Sequence, residues 1–128
     1  MRILVAEDER VLANTIATAL RASFVAEVDI ALDGAGARRL AEKNTYQLAI
    51  VDFWLPPPTG LELVSILRKS GRTCPVLMMS GGDGKSCLDD ALAAGASGCL
   101  EKPFSLTTLI GEAKMVIDSI PNSGPKHE

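Results

Sequence analysis

Residues 48–60 read Leu48-Ala49-Ile50-Val51-Asp52-Phe53-Trp54-Leu55-Pro56-Pro57-Pro58-Thr59-Gly60. The unbroken apolar run from Leu48 to Val51 predicts a strand buried on both faces, as in a parallel sheet. Asp52 ends that run. Pro56, Pro57 and Pro58 forbid helix or sheet interior, so Asp52 to Gly60 is a loop. A helical pattern follows from about Leu61 to Ser70, and Gly71 can end it. The unit is therefore a buried strand, a loop headed by an acid, and a helix.

The same unit recurs on either side. Towards the N-terminus, Ile3 to Ala6 reads as a buried strand, and Leu12, Ile16, Ala19 and Leu20 recur at helical spacing. Val25 to Ile30 reads as a second strand. Its Glu27 and Asp29 suit a sheet edge. A weaker helix carries Ala37, Leu40 and Ala41, and Asn44 can stop it. Towards the C-terminus, Pro75 opens a strand over Val76 to Met79. Gly81, Gly82 and Gly84 make a pliable loop, which predicts a mobile segment and a weakly anchored helix beyond it. That helix runs from about Ser86 to Ala94 and ends at Gly95. Gly98 to Leu100 is a short last strand. Leu109, Ala113, Val116, Ile117 and Ile120 stripe a final helix, which Pro121 terminates. Five strands alternating with five helices predict an α/β fold: a doubly wound parallel sheet with helices on both faces. In such a sheet ligands bind outside the carboxyl ends of the strands.

Composition narrows the function. The 128 residues suit one domain, expected over 1–120, with 121–128 a frayed tail or the start of a linker. Thirteen basic against sixteen acidic residues leave a net charge of −3, which argues against a nucleic-acid platform. The sole histidine is His127, so no Ser-His-Asp triad, Cys-His dyad or histidine-ligated metal site can be built inside the domain. Cys74, Cys87 and Cys99 are odd in number and lack a CxxC pair, and are expected to be reduced residues in or near the core. No apolar run approaches about 18 residues, and the N-terminus is too short for a signal peptide. A cytoplasmic protein with no membrane partner is the expectation.

The strand ends carry the chemistry. Glu7, Asp8 and Glu9 follow the first strand, Asp52 the third, Ser80 the fourth, and Lys102 with Pro103 the fifth. Singly, each has an ordinary reading. Asp8 can cap a helix, Asp52 can form an Asx turn, Ser80 can be a loop residue and Lys102 a surface lysine. Together, three acids converging on one sheet edge repel each other and favour a hard cation. Mg²⁺ suits them best, because it accepts a few carboxylates and keeps waters that a phosphate can displace. A carboxylate beside such a metal can act as a nucleophile and form an acyl phosphate. Lys102 and the Ser80 hydroxyl can then hold the phosphoryl oxygens.

Four strings, each at a strand end, carry a family resemblance. They are Ile3-Leu4-Val5-Ala6-Glu7-Asp8-Glu9, Asp52-Phe53-Trp54-Leu55-Pro56 with Thr59-Gly60, Met79-Ser80-Gly81, and Leu100-Glu101-Lys102-Pro103-Phe104. Over residues 2–118 the chain resembles the receiver domains of bacterial two-component response regulators, similar to the chemotaxis regulator. The resemblance implies a receiver domain over 1–120 with flavodoxin-like strand order 2-1-3-4-5. It implies Asp52 as phosphoacceptor, and a Mg²⁺ site formed by Glu7, Asp8, Asp52 and the backbone carbonyl of Trp54. It also implies Ser80 as the switch hydroxyl, Lys102 as the lysine that pairs with Asp52 and then with the phosphoryl group, and a cis Lys102–Pro103 bond. The donor would be a sensor histidine kinase or a histidine phosphotransfer protein. The output would be a face of the fourth helix, fifth strand and fifth helix, offered to an effector or to a second copy. The domain would catalyse only its own phosphorylation and dephosphorylation.

There are departures from the family pattern. Cys99 stands three residues before the lysine, where the family usually has Tyr or Phe, so the usual coupling of hydroxyl to aromatic is not available. Gly81 follows Ser80 where alanine is common, and the acidic pair is Glu-Asp. Trp54 is bulky beside the site, at a position that influences water access in the family. These departures keep open a degenerate receiver acting as a phosphate-independent docking module. A flavin carrier on the same fold would want a phosphate loop after the first strand, where this chain has three acids. A metal-dependent phosphatase would need a substrate pocket for which the chain has little room.

Overall fold

The computed structural model describes residues 1–81 and 87–119. Five strands are present: β1 (Arg2–Ala6), β2 (Glu27–Ala31), β3 (Leu48–Asp52), β4 (Val76–Ser80) and β5 (Gly98–Glu101). They alternate with α1 (Arg10–Ser23), α2 (Gly34–Lys43), α3 (Gly60–Lys69), α4 (Cys87–Ala94) and α5 (Leu106–Asp118). All pairings are parallel and the order is β2-β1-β3-β4-β5. The expected α/β architecture is therefore present, with β2 on an edge.

Side-chain alternation divides the core in two. Leu4, Ala6, Ala49, Val51, Val76 and Met78 pack with α2, α3 and α4 on one face. Ile3, Val5, Leu48, Ile50, Leu77 and Met79 pack with α1 and α5 on the other. Cys74 and Cys99 are half-buried against the first layer.

Several boundaries differ from the sequence reading. β2 begins at Glu27, two residues after Val25, which is 97% exposed. The α1 stripe is Ala13, Ile16, Ala17 and Leu20, so Leu12 and Ala19 sit at its margins. β3, β4 and β5 each run one residue further than their apolar runs. The polar residues Asp52, Ser80 and Glu101 still complete the ladder, as in the pairs Asp52↔Met79 and Ser80↔Glu101. α3 starts at Gly60 behind a capping box, in which Thr59 Oγ1 accepts from Glu62 N–H and Glu62 Oε1 accepts from Thr59 N–H. The glycines Gly82 and Gly84, the helix start at Ser86, the helix end at Ile120–Pro121 and the 121–128 tail fall outside the described residues. α4 buries Ala91, while Leu88 and Leu92 are each about half exposed.

A polar cluster closes the amino-terminal edge of the sheet. Arg2 Nε and Tyr46 Oη both donate to Asp29 Oδ2, at 2.8 and 2.7 Å. Tyr46→Phe is expected to lower the unfolding free energy by about 1 kcal/mol at neutral pH. Burial and the bond to Asp29 push the Tyr46 phenol up to about 12. Its contribution is therefore complete below the ordinary phenol value of about 10, and is lost as pH climbs through about 12. Denaturant unfolding of both proteins across that window checks this: the gap between them should close as the pH rises.

Candidate functional site

Parallel strands point their carboxyl ends the same way, so the ends of β1, β3, β4 and β5 meet at one edge. Glu7 and Asp8 follow β1, Asp52 and Ser80 end β3 and β4, and Lys102 follows β5. Backbone bonds hold these exits in register: Glu7 N–H to Ala31 O at 3.0 Å, Phe53 N–H to Met79 O at 2.8 Å, and Lys102 N–H to Ser80 O at 2.6 Å. The Lys102–Pro103 bond is cis, as expected, and so is Pro57–Pro58.

Glu7, Asp8 and Asp52 present carboxylate oxygens within 4.8 Å of one another. Glu7 is wholly buried, Asp52 is 5% exposed and Asp8 faces solvent. Asp8 does not cap α1, because the N-cap is Glu9, which makes no side-chain capping bond. Asp52 Oδ1 accepts from Trp54 N–H at 3.1 Å, so the Asx-turn reading is also realised. Its second oxygen lies 3.5 Å from Lys102 Nζ. Glu7 is held from two sides: Oε2 accepts from Glu9 N–H and Oε1 from Lys102 Nζ, both at 2.9 Å. Lys102 is thus the counter-ion of both buried acids.

Burial pushes the Glu7 carboxyl above the usual range, the charge on Asp52 adds to the push, and the bonds from Lys102 and Glu9 resist it. For Lys102, burial works against the charge. The hydrogen bond to Glu7 and the charges of Asp52 and Glu7 outweigh it and hold the ammonium above its ordinary pKa. Two negative groups in a dry corner with one cation leave room for more positive charge.

Ser80 is buried at the end of β4, one residue past the partner of Asp52 in the β3–β4 register, and its hydroxyl makes a long bond to Gly81 O at 3.5 Å. Trp54 is 67% exposed and stacks edge-to-face on Phe53, with centroids 4.8 Å apart. A cavity of about 540 Å³ bounded by Leu4, Tyr46, Arg72 and Cys74 lies at the opposite edge of the sheet, away from these acids.

Sequence reasoning quoted Gly60 within a family string but gave it no role, and did not single out Gly34. A Cβ at Gly60 would overlap Asp52 O and lie 2.9 Å from Phe53 Cα. Gly34 approaches the proline loop more closely still. The Thr59-x-x-Glu62 pattern before an apolar run could have signalled the first, because it sets the helix start at Gly60. Nothing local signals the second.

Comparison with known proteins agrees with this geometry. Residues 3–114 match the response regulator receiver domain. The chain is 37% identical over its full length to the transcriptional regulatory protein TctD of Salmonella typhimurium, and 35% identical over 114 residues to CutR of Streptomyces coelicolor. It spans 56% and 52% of those two proteins, about half the length of the relatives it matches. The Brucella abortus NtrX receiver domain superposes with a TM-score of 0.85 at 28% identity, covering 91% of this chain and 98% of that one. A Francisella receiver domain gives 0.83 at 30% identity, covering 91% and 96%. Sequence and backbone agree over nearly all the described residues, and the chain belongs to the receiver domain family of two-component response regulators.

Proposed function

We propose that Asp52 accepts a phosphoryl group from a histidine kinase or histidine phosphotransfer protein in the cytoplasm, and that the chain switches a protein-binding face in response. One observation carries the reading: a carboxylate 5% exposed at a strand end lies with two further acids and a lysine in the same corner. An Asp52 oxygen attacks phosphorus. As the new P–O bond forms, the donor's P–N bond breaks and its imidazole leaves with the bonding pair. Lys102 Nζ is close enough to follow the developing charge on the phosphoryl oxygens, and the Ser80 hydroxyl lies at the neighbouring strand end.

Receiver domains bind Mg²⁺ through acidic residues. Here Glu7, Asp8 and Asp52, with the Trp54 carbonyl, would hold it. The three carboxylates present oxygens within 4.8 Å of one another, a donor set that suits a hard divalent cation. Bound there, the ion would neutralise phosphoryl charge. A cleft lined by Glu9, Leu12, Gly81, Lys102, Pro103 and Phe104 opens beside the lysine. Exposed Leu88, Leu92, Leu106 and Met115 on α4 and α5 support an output face there, for an effector or a second copy.

Trp54 is the only tryptophan and lies two residues from Asp52. Its fluorescence should respond saturably to Mg²⁺, and respond again to a beryllofluoride phosphate mimic. Mg²⁺ binding with no mimic response would mean a site that does not switch. Silence towards both would leave a phosphate-independent docking module and sink the phosphotransfer reading.

A further inference from the structure

Helix α2 touches the acceptor loop with its first residue. Gly34 N–H donates to Pro56 O at 2.8 Å. A Cβ on Gly34 would overlap Pro58 O and lie 2.6 Å from Pro58 N and 2.7 Å from Pro56 O. All three atoms are backbone, so no rotamer change relieves the clash. Gly34 does not have a positive φ, which is confined to Gly71 and Gly95 among the described glycines. This glycine therefore supplies space and not conformational freedom.

The loop is held at both ends. At Gly60 the backbone lies against Asp52 O and Phe53 Cα, and its N–H donates to Phe53 O at 3.2 Å. At Gly34 it lies against Pro56 and Pro58. Between these points, Leu55 is anchored in the core at 2% exposure, and Trp54 N–H holds Asp52 Oδ1. The first turn of α2 is itself fixed, since Asp33 Oδ1 accepts from Gly36 N–H at 2.7 Å.

We propose that Gly34 is a positioning residue for the acceptor site. The start of α2 buttresses the Pro56–Pro58 segment. That segment sets the Asp52 carboxylate and the Trp54 carbonyl against Glu7 and Asp8. The inference rests on the Asp52 reading and extends the site to an element that contributes no ligand to it. A methyl group at residue 34 must drive helix and loop apart by on the order of an ångström, and a misplacement of that size can cost about a hundredfold at a reacting centre. Mg²⁺ is the sensitive reporter, because it demands near-ideal octahedral ligands.

The test compares wild type, Gly34→Ala and Asp33→Ala as full chains. Mg²⁺ affinity is read by calorimetry well below each melting temperature, and amide exchange is read over residues 53–59 and over β1 and β4. Gly34→Ala should weaken Mg²⁺ binding about tenfold to a hundredfold. Exchange should quicken over 53–59 but not in β1 or β4. Asp33→Ala loosens the α2 start without adding atoms and should weaken binding about threefold to tenfold. If Gly34 only fills space in the fold, the melting temperature drops while Mg²⁺ affinity and loop exchange stay at wild-type values, and the inference is overturned. Should Gly34→Ala not fold, Asp33→Ala decides, and an unchanged affinity there rejects the buttress. A wild type that binds no Mg²⁺ overturns the Asp52 reading and this one with it. A wild type that binds, matched by both variants, overturns this one alone.

Discussion

Asp52→Asn should reduce phosphoryl incorporation from a small acyl phosphate by more than about a thousandfold, the scale on which losing a nucleophile acts. The amide has nearly the shape of the carboxylate, and its oxygen can still accept the Trp54 N–H that now reaches Oδ1. The fold and the loop should therefore survive. What disappears is the negative oxygen that must form the new P–O bond, because an amide cannot yield an acyl phosphate. Intact-protein mass spectrometry gives the readout: one added phosphoryl group on wild type, removed by hydroxylamine, and none on the variant. Stable labelling of Asp52→Asn would move the acceptor to another residue and would remove the role assigned to Asp52.

Lys102→Met should act on stability as well as on chemistry. The ammonium lies 2.9 Å from Glu7 Oε1 and 3.5 Å from Asp52 Oδ2, and Glu7 has no exposed surface. Breaking a buried pair by removing one partner costs on the order of 3 kcal/mol. Glu7 is already pushed above the usual carboxylate range, so without the lysine it will take a proton more readily. The sign follows. A carboxyl whose pKa is raised in the folded state disfavours folding most above that pKa, so the penalty should be largest in mildly alkaline solution and fade as pH falls. Mg²⁺ should restore much of the loss, because it binds the folded acids and not the unfolded chain. Urea unfolding at two pH values, with and without Mg²⁺, checks all three statements. An unfolding free energy equal to wild type would show that the acids do not depend on Lys102.

The fold was legible because five apolar runs and their punctuation agree with a parallel sheet. Elements became less legible where tertiary contacts overrode local pattern. Val25 looks like strand, but it is 97% exposed and lies outside the β1–β2 ladder, whose first pair is Arg2↔Glu27. The α1 stripe shifted because Ala13 and Ala17, weakly apolar, face the sheet more directly than Leu12 and Ala19. The candidate site was visible because its residues interrupt apolar runs: a charge after a buried strand is conspicuous. Gly34 was not. Its role depends on a backbone more than twenty residues away, and no periodicity records that. Nor did the sequence show that Lys102 would contact Glu7 more closely than Asp52, since both acids stand at strand ends and only the packed geometry ranks them.

The bond between Glu7 and Lys102 joins residues 95 apart. During synthesis the ribosome delivers the acids first and the lysine last, at about 5–20 residues per second. Until the fifth strand has emerged and added itself to the edge of the sheet, neither buried acid can have Lys102 as its partner. On the Asp52 reading, a half-made chain therefore lacks the assembled acceptor corner. On that reading, a kinase meeting such chains would find the acids without their lysine, and competence would wait for the last strand to dock.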